Sequence, residues 1–303
     1  MKILVTGGAG FIGSHLVDTL VKDGHDVLVI DDLSTGKKEY VNKKAKLEVL
    51  DISSPSLSKV VADFSPVVVY HLAAQKNVRT SLENPMLDAK INILGSLNLL
   101  TQAIKNKVDK FIFVSTGGIY GDTDILPTTE VGEEKPMSPY ILNKLTFEKY
   151  LAILSQGKMK WAVLRLANVY GQRQDPYGEA GVISIFLDNV IKNKKLYING
   201  DGQQTRDYVY IADVISALTK FLSSAEGLYN VGTGREISLL DLLAAIKKIS
   251  GREPEIQYRP AILGEVIRSC LDFSKVKHDL SWQPQYDLKQ GLELTYRWFK
   301  EKR

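Results

Sequence analysis

The first half of the chain alternates short, continuously apolar runs with segments that have a helical hydrophobic period. The apolar runs predict strands at residues 2–6, 27–31, 47–50, 67–71, 111–115 and 162–166. A helix is predicted at 11–23, where Ile12, Leu16 and Leu20 share one face. Strands that are apolar throughout are typical of a parallel sheet covered by helices on both faces. The pattern therefore predicts an α/β fold with a doubly wound parallel sheet.

The pattern changes after about residue 166, and the change predicts a second, smaller lobe. Residues 168–181 hold several glycines, a proline and few aliphatic side chains, which predicts a long loop. Helices are predicted at 182–192 and 211–222, and two or three amphipathic helices within 237–303. The expected division is 1–168 plus about 206–230 for the sheet domain and about 169–205 plus 231–303 for a smaller α/β lobe.

Composition and charge argue against several classes of protein. The 303 residues include 39 Lys and Arg against 35 Asp and Glu, a net charge of +4, and no basic stripe is interleaved with aromatic residues. We therefore expect no nucleic-acid partner. One Cys and four His argue against a disulfide framework and a zinc site, so no metal is expected. No apolar run approaches the ~18 residues of a membrane span and no signal peptide is recognised, so a cytoplasmic protein without a membrane partner is expected.

A glycine-rich turn follows the first predicted strand and opens the first predicted helix. Gly7, Gly10 and Gly13 are spaced as G-x-x-G-x-x-G, a variant of the dinucleotide-binding fingerprint. Glycines there allow a tight turn and close approach of the backbone to a pyrophosphate, which the helix N-terminus then binds. Asp31 ends the second predicted strand, 18 residues after Gly13. A carboxylate at that place binds a ribose 2′-hydroxyl and repels a 2′-phosphate, which predicts NAD rather than NADP.

Tyr140 and Lys144 are the candidates for acid–base chemistry, because the chain has few His and Cys. On a helix they lie one turn apart on the same face. Tyrosine needs a fall in pKa of about 3 units to be half ionised at pH 7, and a nearby ammonium and a positive nicotinamide ring favour that fall. The other Tyr-x-x-x-Lys pairs, Tyr40–Lys44 and Tyr296–Lys300, are interpreted as exposed helix faces. Only Tyr140 and Lys144 follow, by a couple of dozen residues and within the predicted sheet domain, a strand that ends in Ser115-Thr116-Gly117-Gly118.

Together these residues resemble the extended short-chain dehydrogenase/reductase family, and within it the NAD-dependent nucleotide-sugar epimerases. The likeness extends to residues 71–75, 113–121, 164–171 and 200–208. The segment 115–118 looks most like that of the UDP-glucose 4-epimerases, without the acidic residues found there in 4,6-dehydratases and decarboxylases. The resemblance implies a Rossmann domain that binds NAD and a lobe that binds a nucleotide sugar. The matched cofactor positions are Gly7, Gly10, Phe11, Ile12, Gly13, Asp31, Asp51, Ile52, Leu72, Ala73, Ala74, Asn92, Tyr140 and Lys144.

The resemblance also implies a reaction, the 4-epimerisation of a UDP-hexose through a transient 4-keto sugar. Tyr140 would take the proton of the sugar 4-hydroxyl while carbon 4 passes a hydride to NAD, and Thr116 would hydrogen-bond the same oxygen. Lys144 would hold the nicotinamide ribose and lower the pKa of Tyr140. The keto sugar would then rotate, and the hydride would return to its other face. The implied substrate-binding residues are Thr116, Asn168, Arg206, Glu265 and Ser269.

Two of these positions bear on the choice of substrate. Ser269 stands where some 4-epimerases carry a bulky Tyr that is thought to exclude N-acetylated sugars, which favours UDP-GlcNAc and UDP-GalNAc as substrates beside UDP-glucose and UDP-galactose. Ile262 stands where many relatives carry an Arg that contacts phosphate. Arg259 and Arg268 are the candidates to replace it.

Other functions stay open at this point. A UDP-glucuronate epimerase or a nucleotide-sugar reductase would belong to the same family, and net consumption of NADH would favour the reductase. A non-catalytic NAD-binding sensor or scaffold is a third possibility, which the presence of Thr116, Tyr140 and Lys144 argues against. The family further implies a role in galactose metabolism and a homodimer formed by helices near 88–104 and 139–155.

Overall fold

The computed structural model describes residues 1–177, 181–222, 225–261 and 266–302. The strands are β1 (Lys2–Thr6), β2 (Asp26–Asp31), β3 (Lys46–Val49), β4 (Val68–His71), β5 (Lys110–Thr116), β6 (Lys160–Leu166), β7 (Asn168–Tyr170), β8 (Leu196–Asn199), β9 (Thr205–Arg206), β10 (Tyr208–Tyr210), β11 (Gly227–Val231), β12 (Ile237–Ser238) and β13 (Ile256–Arg259). The α-helices are α1 (Phe11–Lys22), α2 (Leu57–Phe64), α3 (Val78–Glu83), α4 (Pro85–Ala89), α5 (Ser96–Lys105), α6 (Pro139–Ser155), α7 (Val182–Ile191), α8 (Ile211–Lys220), α9 (Leu239–Ser250), α10 (Ser274–Leu280) and α11 (Leu288–Glu301). Two 3-10 helices (Lys38–Tyr40 and Gly117–Tyr120) and a π-helix (Lys90–Gly95) join them.

Seven parallel strands from the described ranges form the central sheet, in the order β11-β6-β5-β4-β1-β2-β3. Helices cover both of its faces. On β1, Ile3 and Val5 belong to the core beneath α1 and α8, whereas Leu4 belongs to the core beneath α2, α5 and α6. Because both faces are buried, such a strand is apolar at successive positions. The predicted doubly wound parallel α/β fold is confirmed, and β1 to β6 lie within two residues of their predicted bounds.

The strand order reverses between β1 and β4, which creates a crevice at their carboxyl ends. The chain runs outward from β1 through β2 to β3, and β4 then pairs with the other side of β1. Open α/β sheets bind their ligands at such a switch point. Gly7 directly follows β1, and Leu72 directly follows β4. The predicted cofactor residues therefore lie around this crevice.

Outside the central sheet, the described strands form short pairs. β8 pairs with β13, β9 with β12 and β7 with β10. The loop predicted over 168–181 is wrong at its start, because Asn168–Tyr170 forms β7 through its pairing with β10. The chain returns to the central sheet through α8 and β11, and β11 pairs with β6. These pairings support the predicted two-part division, which we put forward as a proposal.

Candidate active site

The predicted glycine turn connects β1 to α1. Gly7 has a φ of +70°, and a Cβ there would lie 2.7 Å from the backbone nitrogen of Ala73. A Cβ at Gly13 would lie 2.1 Å from the carbonyl oxygen of Gly7. No side chain caps α1 at its N-cap residue, Gly10, so the first-turn N–H groups remain available to an anion. A side chain at Gly7 or Gly13 would therefore disrupt the turn.

Asp31 lies at the carboxyl end of β2, where it is tied to the glycine turn. Its Oδ2 accepts a hydrogen bond of 2.9 Å from the N–H of Ala9, and its Oδ1 accepts one of 2.9 Å from the N–H of Leu33. The side chain is buried, and burial raises the pKa of the carboxyl group above its usual value. The two backbone donors fix the carboxylate but leave acceptor positions for a ribose diol.

Most of the remaining predicted cofactor residues follow β3 and β4. Asp51 accepts a 2.7 Å hydrogen bond at Oδ1 from the N–H of Ser53, and Ile52 is buried. The N–H of Ala73 donates to Thr6 Oγ1 over 3.3 Å, which holds the segment after β4 against β1. Phe11 and Ile12 lie in the first turn of α1, and Leu72 and Ala74 flank Ala73. All of these residues lie on the carboxyl side of the sheet.

Asn92 belongs to the π-helix Lys90–Gly95, a form of helix that often occurs at functional sites. Its side chain is buried and pairs with the backbone of Gln75. Asn92 Nδ2 donates to the Gln75 carbonyl oxygen over 2.9 Å, and Asn92 Oδ1 accepts from the Gln75 N–H over 3.1 Å. The asparagine therefore anchors the segment that follows β4.

Tyr140 and Lys144 lie on α6, which packs against the end of β5. Ser138 caps this helix, because its Oγ accepts from the N–H of Ile141. Lys144 Nζ donates a 3.0 Å hydrogen bond to the carbonyl oxygen of Val114 and lies 4.6 Å from the ring centroid of Phe113. Contacts to two neighbouring residues of β5 thus fix the ammonium group.

Thr116 ends β5, close to the start of α6. Its Oγ1 accepts a 3.1 Å hydrogen bond from the N–H of Gly118. The 3-10 helix that follows packs against α6 through Ile119 and Ile141. Thr116, Tyr140 and Lys144 therefore lie along one edge of the sheet.

The chain's own groups shift the pKa of Tyr140 in the direction opposite to the one predicted. Burial, and then the negative charge of Asp88, raise the pKa of Tyr140 from 10.0 to about 12. Burial lowers the pKa of Lys144 from 10.5 to about 8, against the charges of Glu148 and Asp88, which raise it. Neither burial nor Asp88 lowers the pKa of Tyr140 in the way that was expected of Lys144 from the sequence.

The predicted substrate residues lie in the second lobe and at its junction with the sheet. The N–H of Asn168, on β7, donates to the carbonyl oxygen of Asp207 over 2.9 Å. Arg206, on β9, is half-buried, and its Nη1 donates to the carbonyl oxygens of Thr205 (2.8 Å) and Ile267 (3.4 Å). Ser269 is half-buried two residues beyond Ile267. Glu265 lies outside the described residues.

The segment that contains Ser269 continues toward the end of β5. Leu271 packs against Gly117, since a Cβ at Gly117 would lie 2.9 Å from Leu271 Cδ1. Gly117 follows Thr116 directly. The structure therefore brings the predicted substrate segment beside the predicted catalytic residues.

Both arginines considered as replacements for the phosphate contact at Ile262 have partners. Arg268 Nη2 lies 2.5 Å from Glu236 Oε2, and the Arg259 guanidinium lies 3.5 Å from the ring centroid of Tyr197. Ile262 itself lies outside the described residues. Arg206 likewise has partners, the carbonyl oxygens of Thr205 and Ile267.

A buried ion pair beneath α6 was missed by sequence reasoning. Arg165, on β6, is fully buried, and its Nη2 lies 2.6 Å from Glu148 Oε2. Ser115 Oγ donates a 2.5 Å hydrogen bond to Glu148 Oε1. Glu148 lies one helical turn after Lys144, so continuing the Tyr-x-x-x-Lys spacing by one turn would have found it. The pair and the Ser115 hydrogen bond tie α6 to β5 and β6.

Other types of chemistry find little support in the part of the chain that the structure describes. No group of three His, Cys, Asp or Glu side chains there is arranged to hold a metal ion. Cys270 is buried, and burial raises the pKa of its thiol from 9.0 to about 12. None of the described helices has both the length and the apolar character needed to cross a membrane.

The crevice, the glycine turn with Asp31 and the Tyr140–Lys144 helix define a dinucleotide-binding protein of the short-chain dehydrogenase/reductase type. The chain belongs to the NAD dependent epimerase/dehydratase family, whose sequence model matches residues 3–232. It is 40% identical to a UDP-glucose 4-epimerase of Mycolicibacterium smegmatis over 311 aligned residues, which cover 100% of this chain and 99% of that protein.

Two solved structures of named epimerases match almost the whole chain. A UDP-glucose 4-epimerase of Thermotoga maritima with UDP-glucose has a TM-score of 0.97 at 44% identity, covering 100% of this chain and 99% of that one. A UDP-glucose 4-epimerase of Thermus thermophilus in complex with NAD has a TM-score of 0.94 at 42% identity, covering 99% of each chain. The predicted family resemblance is confirmed.

Proposed function

We propose that this protein is an NAD-dependent UDP-hexose 4-epimerase, an isomerase that interconverts UDP-glucose and UDP-galactose. The observation that carries the proposal is the placement of Thr116, Tyr140 and Lys144 along the sheet edge that also holds the glycine turn. The named epimerases described above, at 40% to 44% identity over nearly the whole chain, support it. This reaction would belong to galactose metabolism, and a cytoplasmic location stays a prediction from the sequence.

The residues around the crevice fit NAD. A Cβ at Gly7 or Gly13 would meet protein backbone, so the glycines let the turn pack tightly against the segment after β4 and the start of α1, which is the compact turn that presents a helix N-terminus to a pyrophosphate. Asp31 would hold the adenine ribose, and Asp51, Ile52, Leu72–Ala74 and Asn92 would line the rest of the cofactor site. Oxidised NAD supplies a hydride acceptor and a positive charge on its nicotinamide ring. That charge would counter the rise that burial and Asp88 cause in the pKa of Tyr140.

Tyr140 is the proposed base for the sugar 4-hydroxyl. Among the described residues its phenol oxygen has no hydrogen-bond partner, so it can bind the substrate oxygen, take its proton and later return it. Thr116 Oγ1 accepts from Gly118 and keeps its O–H donor, which would hydrogen-bond the same substrate oxygen. Lys144 uses one of its three N–H donors on Val114, and the others can hold the nicotinamide ribose.

The second lobe would hold the nucleotide while the sugar turns. A 4-epimerase removes hydrogen from one face of carbon 4 and returns it to the other, so the keto sugar must rotate in the site. Arg206 can bind a diphosphate in a bidentate way, and the carbonyl oxygens of Thr205 and Ile267 fix its guanidinium. With Asn168, and with Glu265 at the uridine ribose, it would keep the nucleotide in place.

A panel of UDP-sugars tests the proposal. Purified protein with NAD is expected to interconvert UDP-glucose and UDP-galactose, measured by chromatography of the products, without net formation of NADH. UDP-GlcNAc is expected to react as well, because Ser269 leaves room for the acetamide. Ser269→Tyr should then lower kcat/KM for UDP-GlcNAc by more than about tenfold but change that for UDP-glucose much less. Failure of UDP-glucose to react would refute the function, and an equal loss for both sugars would refute the role of Ser269.

We also propose that the protein forms a homodimer through α5, α6 and the π-helix. Exposed apolar side chains lie on this side of the molecule, namely Leu94, Leu142, Tyr150 and Ile153. On α6 the last three follow a helical spacing, so they form one stripe. A second copy of the chain would bury the stripe by an isologous contact, as the sequence resemblance implies.

Ile153→Glu is expected to convert the dimer to a monomer. Ile153 is 69% exposed, so a charge there should leave the single chain folded but oppose its burial against a partner. Light scattering coupled to size exclusion should show the mass falling from about twice 33.8 kDa to 33.8 kDa. Val131→Glu, an exposed apolar position outside these helices, serves as the matched control. A wild-type protein that is monomeric at every concentration tested would overturn the proposal.

A further inference from the structure

A buried carboxylate that the proposed reaction does not use lies behind the catalytic helix. Asp88, in α4, has no exposed surface. Its Oδ2 accepts a 2.6 Å hydrogen bond from Gln75 Nε2. Its Oδ1 accepts from Asn92 Nδ2 over 3.0 Å and from Asn143 Nδ2 over 2.7 Å. Three side-chain amides therefore surround one carboxylate.

The carboxylate is held by neutral donors rather than by an ion pair. Within the described ranges, no Lys, Arg or His nitrogen lies within 4.0 Å of it. A carboxylate that accepts several N–H donors can remain charged when buried. Asp88 therefore places a fixed negative charge, with no paired cation in the described part of the chain, inside the protein.

The three amides belong to three segments of the proposed site. Gln75 lies in the segment that follows β4, which includes Leu72–Ala74. Asn92 lies on the π-helix, and Asn143 lies on α6 between Tyr140 and Lys144. Because the same carboxylate accepts from all three, it joins the catalytic helix to two segments that would line the cofactor.

The charge of Asp88 acts on both proposed catalytic side chains on α6. It raises the pKa of Tyr140, after the larger effect of burial, and it also raises the pKa of Lys144. Glu148, the other acid near Lys144, is paired with Arg165. The other titratable groups on α6 and on the elements packed against it are Arg79 and Glu83 on α3, Lys90 on the π-helix, Lys105 on α5, Lys110 on β5, Tyr120 on the 3-10 helix, Lys160 on β6, and Lys149 and Tyr150 on α6 itself. Lys76 is exposed in the segment after β4, and burial and Lys144 lower the pKa of the buried His71 well below 6.5.

We propose that Asp88 is a positioning residue for the reaction, whose buried carboxylate aligns the Tyr140–Lys144 helix with the cofactor-lining segments and holds a negative charge beside both side chains. The inference rests on the proposed function for the identity of the reaction. The alignment and the charge are properties of the chain itself, so they can be measured without substrate.

Asp88→Asn keeps the shape of the side chain and removes its charge. We expect both limbs of the pH profile of kcat/KM to move to lower pH, by about half a unit or more, because the charge favours the protonated forms of Tyr140 and Lys144 alike. We also expect kcat to fall, by up to about 100-fold, because the helix loses part of its alignment. If Asp88 had only a structural role, Asp88→Asn would lower kcat/KM at every pH and leave the pH midpoints of both limbs unchanged.

Asn143→Ala is the matched control, because it removes one of the three side-chain hydrogen bonds to Asp88 and keeps the charge of Asp88. We expect this variant to lose kcat without displacement of the limbs. Asp88→Ser, in which a hydroxyl and room for water replace the carboxylate, provides the same test if Asp88→Asn does not fold. Limbs that stay in place in the folded Asp88 variant, or that move equally in Asn143→Ala, would overturn the inference.

An ultraviolet titration of the phenolate in the NAD-loaded protein gives a readout that needs no turnover. The difference between the protein and its Tyr140→Phe variant isolates Tyr140 among the 14 tyrosines. Asp88→Asn should lower the midpoint of this difference, and an unchanged midpoint would overturn the inference. If the midpoint falls but the wild-type protein turns over no UDP-sugar, Asp88 has the proposed effect and the proposed reaction is wrong.

Discussion

Tyr140→Phe should lower the turnover of UDP-glucose by about 10²- to 10⁴-fold, the usual contribution of a positioned proton-transfer group. The substitution removes only the phenol oxygen, which has no hydrogen-bond partner among the described residues. We therefore expect neither the fold nor the binding of NAD to change. The measurement is kcat by product chromatography, together with the NAD released when the purified protein is denatured.

Tyr296→Phe is the matched control for this result. Tyr296 belongs to another Tyr-x-x-x-Lys pair, and it lies on α11, in the second lobe. The same chemical change there should leave turnover close to wild type. Near-normal activity in Tyr140→Phe, or an equal loss in Tyr296→Phe, would show that Tyr140 is not the base.

Glu148→Ala is expected to cost about 3–5 kcal/mol of the free energy of unfolding, because it removes the buried one of the two carboxylates that pair with the buried Arg165. Arg165 is fully buried and lies 2.6 Å from Glu148, and its Nη1 has no hydrogen-bond partner among the described residues. The alanine removes the buried carboxylate that stabilises the charge of that guanidinium. Urea unfolding followed by circular dichroism measures the change.

Glu134→Ala provides the comparison for this stability loss. Glu134 Oε1 also lies 2.6 Å from Arg165 Nη2, but its side chain is 28% exposed, so water can replace part of the contact. We expect a loss of roughly 1 kcal/mol, in the range of partly solvated ion pairs. Equal losses in the two variants would contradict the view that Glu148 is the buried partner on which α6 depends.

The sheet and the cofactor turn could be predicted from local sequence. Continuously apolar runs specify doubly covered strands, and the spacing of Gly7, Gly10 and Gly13 specifies the turn. The short strands of the second lobe could not be predicted in this way. β7 and β9 have three and two residues, and each forms by pairing with a segment distant in sequence.

The candidate site also depends on contacts between residues that are distant in sequence. The Tyr140–Lys144 pair was chosen by its context, but the direction of the Tyr140 pKa depends on burial and on Asp88, more than fifty residues earlier. The helix face predicted for Tyr40–Lys44 is wrong, because the helix there is the 3-10 segment Lys38–Tyr40. Tyr296 and Lys300 do lie on a helix, α11. The direction of the Tyr140 pKa and the short secondary-structure elements could therefore be assigned only from the tertiary structure.

The pairing of β11 with β6 determines when the central sheet can be completed during synthesis. β6 ends at Leu166, but its outer neighbour begins only at Gly227. Until β11 has been synthesised, β6 would expose a row of unpaired N–H and C=O groups, and such an edge is a template for aggregation. A chain cut after residue 168 would keep this open edge permanently. The second lobe, although peripheral to the sheet, therefore lies between the cofactor domain and the strand that completes it.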